Sequence, residues 1–184
     1  NMTKVNFNAV VTDKFDPAAL KPPQFIMLSG CADTLTNEQL RWIREWHKLG
    51  THLIVTPSDE FRKCFSALLS SGIITQTAIS KFGSANNSLP VFFNNLNEKS
   101  PYTNLFLKDG VNDFISIPIH QYIKINHLKN TEILITTEND DPILVINRLG
   151  SGICFLFTLA LDPTWSDLPL TTTFLPLIRQ MINV

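Results

Sequence analysis

The chain has 184 residues, with 15 basic against 16 acidic side chains, a net charge of −1 and 44% hydrophobic residues. This balance leaves no field to steer a phosphate backbone or an anionic lipid surface onto the protein, which argues against nucleic-acid binding. The length suits one domain with a sizeable core, burying about 70% of the unfolded surface. The longest strongly apolar run, Ile153 to Leu161, is about nine residues, whereas a membrane-spanning helix needs about 20.

The start, Asn1-Met2-Thr3-Lys4, has no signal-peptide pattern, and Asn1 ahead of Met2 points either to an expression remnant or to a piece excised from a longer chain. Phe25-Ile-Met-Leu-Ser-Gly30 is a short apolar run without alternation, the pattern of a strand buried on both faces of a parallel sheet. Thr36 and Gln39 form a capping box flanked by Leu35 and Leu40, so a helix starts at 36 or 37. It presents Leu40, Ile43, Trp46 and His47 on one face and ends at Gly50. His52-Leu-Ile-Val-Thr56 is a second buried strand, which completes a β-α-β unit with a right-handed crossover.

Pro57 and Ser58 close that strand, and Ser58 is expected to cap a helix carrying Phe61, Cys64, Phe65, Leu68 and Leu69 up to Gly72. From about 75 to 113 the pattern dissolves into Asn, Ser, Gly and Pro and reads as an irregular insertion, with a short helix near Asn104. Ile115, Ile117, Ile119, Ile123 and Ile125 then fall on odd positions, as in one strand with a single buried face, and Gln121 breaks the series. Two hairpins follow, one turning at Asn139-Asp140-Asp141 and one at Gly150-Ser151-Gly152. A terminal helix carries Phe174, Leu177, Ile178 and Met181. The expected class is α/β, a flavodoxin-like three-layer sandwich whose parallel β-α-β core is extended by antiparallel C-terminal hairpins, forming a single domain over 1–184.

Cys31, Cys64 and Cys154 are odd in number and sit in unrelated contexts, and no C-x-x-C, H-x-x-x-H or H-E-x-x-H spacing occurs. This argues against a disulfide framework and a zinc site, and neither a metal nor a cofactor is expected. Leu149-Gly-Ser-Gly152 reads as a hairpin turn, because a phosphate loop would lead into a helix.

The order of elements, together with Phe25-Ile-Met-Leu-Ser, Leu35-Thr-Asn-Glu-Gln-Leu40, His52-Leu-Ile-Val, Pro142-Ile-Leu-Val and Leu149-Gly-Ser-Gly152, resembles a known family. The closing segments, Leu161-Asp-Pro-Thr-Trp-Ser-Asp-Leu-Pro-Leu and Phe174-Leu-Pro-Leu, carry its most specific part. That family is the class I glutamine-amidotransferase-like, Rossmann-like domain of BatA-related, aerotolerance-type bacterial membrane proteins, matched over about residues 20–184. The resemblance implies a soluble module of a membrane-anchored bacterial protein, without the amidotransferase catalytic residues, whose partners are other proteins of a membrane complex.

An active amidotransferase needs a cysteine on a glycine-flanked strand-to-helix elbow, with a histidine to activate it. Here the elbow position reads Val55-Thr-Pro-Ser-Asp-Glu60, with neither cysteine nor glycine. Ser58 and Cys31 are the weak nucleophile candidates; Cys31 follows the first strand, where open α/β sheets build their sites. His47, His52, His120 and His127 read as surface or half-buried residues. Asp33, Asp59 and Asp162 form a candidate polar binding site at one sheet edge. Trp165 with Leu168 forms either a partner-binding patch or a loop folded over the sheet edge with Trp165 buried, and the second reading is preferred. The function expected is non-catalytic protein interaction or ligand sensing. The alternatives are a hydrolase or transferase using Cys31 or Ser58, and a structural spacer.

Overall fold

The computed structural model describes residues 21–30, 35–83, 89–110, 114–126 and 131–183. Cys31 and Asp33 lie outside them. The strands among the described residues are β1 (Phe25–Leu28), β2 (His52–Val55), β3 (Thr77–Phe82), β4 (Val91–Leu96), β5 (Pro118–Ile119), β6 (Tyr122–Asn126), β7 (Glu132–Thr137), β8 (Pro142–Leu149) and β9 (Gly152–Phe157). The α-helices are α1 (Asn37–Lys48), α2 (Phe61–Ser70) and α3 (Phe174–Ile182), and a 3-10 helix covers Asn104–Gly110.

The main sheet has seven strands in the order β1-β2-β9-β8-β7-β4-β5, and β3 pairs with β6 in a separate two-stranded ribbon. β1 pairs with β2 and β2 with β9 in parallel, while every pairing from β9 through β8, β7 and β4 to β5 is antiparallel. The sheet curls into a half-barrel.

This corrects the expected α/β, flavodoxin-like three-layer sandwich. The β1-α1-β2 unit and both hairpins form where the sequence placed them, but α1 is the one described helix that links two parallel neighbours of the main sheet. A parallel layer needs such a crossover for each added strand. α2 leads out of the main sheet into β3, and hairpins build the remaining half, so the molecule is mostly β.

α1 follows its local code. Thr36 Oγ1 accepts from the Gln39 N–H (3.2 Å) and Gln39 Oε1 accepts from the Thr36 N–H (2.8 Å), which satisfies two donors that a helix start leaves open. Its inward face, Leu40, Ile43, Trp46 and His47, is buried. α2 departs from expectation: it begins at Phe61 after Glu60, with no side-chain cap, so Ser58 does not cap it. The segment 75–113, expected to be irregular, contains β3 and β4, and the 3-10 helix lies where a short helix was expected.

β8 and β9 form the centre of the core. Ile143, Leu144, Val145, Cys154, Phe155, Leu156 and Phe157 are fully buried, together with Leu53, Ile54 and Val55 of β2. Continuous apolar runs suit strands covered on both faces. The β8–β9 turn packs directly on the end of α1. A Cβ on Gly150 (φ +62°) would lie 2.2 Å from Lys48 O, and one on Gly152 would lie 2.1 Å from His47 O, so only glycine fits at either position.

The expected single isoleucine strand is two strands. β5 and β6 part at His120-Gln121, whose backbone N–H groups both donate to Trp165 O (2.8 and 3.0 Å). Ile117, Ile119, Ile123 and Ile125 are buried, but Ile115 lies in a turn and is 53% exposed.

Candidate functional site

The C-terminal ends of β1, β2 and β9 lie side by side, and the β7–β8 turn joins them because β8 runs antiparallel to β9. The chain changes direction after each of these strands, which leaves backbone groups to be satisfied by side chains. The Gly30 N–H donates to Thr56 Oγ1 (3.3 Å), tying the ends of β1 and β2. Thr158, past the end of β9, donates its hydroxyl to Pro142 O (2.8 Å).

Asp59, Lys81 and Trp165 meet at this end of the sheet. The Lys81 ammonium pairs with Asp59 and stands 4.4 Å from the centroid of the Trp165 ring. Lys81 is close to the end of β3, opposite Ile123 of β6, so the ribbon carries it to the strand ends. Asp59 is exposed and Trp165 is buried, at 5%.

The Trp165 loop is held by backbone bonds. Its carbonyl receives the two N–H groups from the β5–β6 break, Gln121 Nε2 donates to Thr164 O (2.7 Å), and the Asp167 N–H donates to Pro118 O (3.2 Å). Gln121, which broke the isoleucine pattern, therefore grips this loop. A second polar cluster stands on the ribbon's other face: Tyr122 Oη donates to Asp141 Oδ2 (2.5 Å), and Lys124 Nζ lies 2.9 Å from the same oxygen. Burial, then the bond to Asp141, holds the Tyr122 phenol well above its ordinary pKa.

The expected site residues are distributed unevenly. Asp59 and Trp165 are brought together through Lys81. Asp162 is exposed but accepts from the Thr164 hydroxyl (2.5 Å) and backbone N–H (2.7 Å), which hold its carboxyl below the ordinary range, the hydroxyl contributing most. Leu168 is fully buried, and Ser58 is half-buried on the strand-end loop. Cys154 is a free, buried thiol pushed up to about 12 by desolvation, hence chemically inert. Cys64 is buried in the core, as its place on the apolar helix face implied, and it is disulfide-bonded although the odd cysteine count argued against a disulfide framework.

Two of the three described histidines bond away from this site. At the opposite end of the sheet, His47 Nδ1 lies 2.8 Å from Thr51 O and His52 Nδ1 accepts from the Ile153 N–H (3.1 Å). His120 Nε2 lies 3.4 Å from Asp167 Oδ1. His127 is outside the described residues. Among the described residues, no group of three or more His, Cys, Asp or Glu side chains could hold a metal ion. The residues missed from sequence were Lys81, which fell in the segment taken for irregular, and Gln121, whose only signal was its misfit in the isoleucine series.

No family model and no curated protein matches the sequence. Solved structures do match. Cytoplasmic protein STM3548 from Salmonella typhimurium superposes with a TM-score of 0.72 at 15% identity, covering 94% of this chain and 76% of that one. Cytoplasmic protein STM1381 from Salmonella typhimurium LT2 gives 0.70 at 14% identity, covering 91% and 74%. A β-galactosidase from Bacillus circulans gives 0.53 at 12% identity, covering 87% of this chain and 21% of the enzyme.

The likeness shows the fold alone. It lies with these proteins rather than with a flavodoxin-like sandwich, so the resemblance to the glutamine-amidotransferase-like, BatA-related domain is corrected. The Rossmann-like and membrane-associated descriptions rested on that resemblance and are withdrawn with it. Among the described residues, no helix is long and apolar enough to cross a membrane.

Proposed function

We propose that the chain is a non-catalytic binding module that recognises a partner protein or ligand at the ends of its parallel strands, with Lys81 as the recognition group. The observation that carries this reading is the Asp59–Lys81 pair set over the buried Trp165 ring. The lysine's aromatic seat is fixed by the fold, while its anionic partner is an exposed side chain. Such a pair is worth roughly 0–1 kcal/mol, so an incoming carboxylate or phosphate can displace Asp59 at little cost while the ammonium keeps its aromatic contact.

Trp165 itself is not the docking surface, because its ring is covered. This burial also suits a structural spacer, which makes the behaviour of Lys81 the discriminating observation. A hydrolase or transferase built on Ser58 or Cys31 needs an imidazole within about 4 Å of its nucleophile. His47 and His52 have bonding partners at the opposite end of the sheet, and His120 faces Asp167 in the Trp165 loop.

The test is affinity capture by the wild type and by Lys81→Ala, alongside glutaminase and esterase assays. Binding lost in the variant supports the reading. Turnover abolished by Ser58→Ala or Cys31→Ala overturns it.

A further inference from the structure

A second candidate site lies between the helices, away from the strand ends. α1 contributes Asn37, Leu40, Arg41 and Arg44 to it, at spacings of three, one and three, which is one helix face. α2 contributes Lys63, Ser66, Ala67 and Ser70 at the same spacing, so two parallel stripes enclose an open groove of about 760 Å³. Ser71 and Gly72 close its end. Gly72 has φ +72°, and a Cβ there would stand 3.4 Å from Arg44 Nε, so the arginine lies across the end of α2 over a position without a side chain.

The groove has a marked charge character. Its described lining holds three cations, on opposite walls, and no acidic side chain, in a chain whose net charge is −1. The nearest counter-charges sit outside the lining: Glu45 pairs with Arg44 (3.1 Å) and Glu60 with Lys63 (3.1 Å), and both acids are exposed at the surface. Exposed pairs of this kind exchange readily for another carboxylate. Leu40 and Ala67 give the groove a small apolar floor between the basic walls.

We propose that this groove docks an acidic segment of a partner protein, with carboxylates reaching Arg41, Arg44 and Lys63 and a small apolar side chain resting over Leu40 and Ala67. The groove exceeds the size of a single phosphate, and its cations stand on separate walls. A chain that spans both walls matches this arrangement better than a compact anion does. Ser66 and Ser70 add hydroxyls that can donate to the segment's backbone carbonyls.

The experiment uses the full chain and a fluorescein-labelled peptide of glutamate with interspersed leucine, read by fluorescence anisotropy at about 50 mM NaCl, where screening is weak. Controls are a peptide with lysine in place of glutamate and competition by tripolyphosphate. Arg41→Glu combined with Lys63→Glu is expected to weaken binding at least about tenfold. Lys21→Glu combined with Lys99→Glu makes the same change in net charge at other exposed sites and is expected to leave binding within about twofold. Circular dichroism confirms that both variants are folded.

The proposal is overturned if the two double variants lose equal affinity, since the effect is then one of net charge. It is also overturned if the acidic peptide fails to bind below about 1 mM, or if tripolyphosphate binds as tightly as the peptide. Lys81→Ala, tested in the same assay, is expected to bind the peptide normally, which separates this groove from the strand-end site.

Discussion

Lys81 and Trp165 divide recognition from structure. The indole is buried beneath the ammonium and its backbone is held by the β5–β6 break. Trp165→Ala is therefore expected to destabilise the fold by about 3–5 kcal/mol in chemical denaturation, while Lys81→Ala costs less than about 1 kcal/mol. Equal losses would mean that the lysine is a structural strap.

His47 supplies a second residue-level prediction. Its Nδ1–H donates to Thr51 O, and its buried Nε2 has no partner, so the neutral ring fits and a charged one does not. Burial lowers its pKa below the usual 6.5, with a smaller opposing effect from Thr51 and a smaller lowering from His52. The unfolded chain thus binds the proton more readily. Stability is full above about pH 6.5 and falls as the pH drops below it, by at most about 1.4 kcal/mol per unit for this group. Denaturation of His47→Gln across this range should show a shallower acid slope, although His52, also lowered by burial, retains part of it. An unchanged slope would refute the assignment.

At the scale of elements, legibility followed locality. The Thr36–Gln39 capping box, the α1 face and the two hairpin turns are encoded within a few residues, and all formed as read. β3 and β4 were missed because Asn, Ser and Gly around them weaken strand propensity, and their pairing partners, β6 and β7, lie far along the chain. Ser58 matched a cap by type, yet Glu60 occupies the position preceding α2. The β8–β9 turn was legible as a turn, but its contact with α1 was not, since that depends on tertiary approach. Gly152→Ala would drive a methyl into His47 O and is expected to cost at least about 1–3 kcal/mol, measured by thermal unfolding. A neutral result would show that the turn can retreat from α1.

For the whole molecule, the sequence-based expectation failed at strand order. β1, β2, β7, β8 and β9 can each be read from their own residues, but β9 inserts between β2 and β8, and that placement decides how much of the sheet is parallel. Extending the β1-α1-β2 pattern to the whole chain made a mostly-β half-barrel look like a three-layer sandwich. The same long-range order brings Asp59, Lys81 and Trp165 together from three separate segments, which explains why Asp59 and Trp165 were each visible in the sequence while the lysine that joins them was not.

The strand-end site can be tested most directly by quantitative affinity capture with the wild type, Lys81→Met and Asp59→Asn, each confirmed as folded. If Lys81 is the recognition group and Asp59 its resting counter-ion, Lys81→Met loses the bound species, whereas Asp59→Asn, with its lysine released, retains more of it than the wild type. Identical capture by all three proteins would contradict the account.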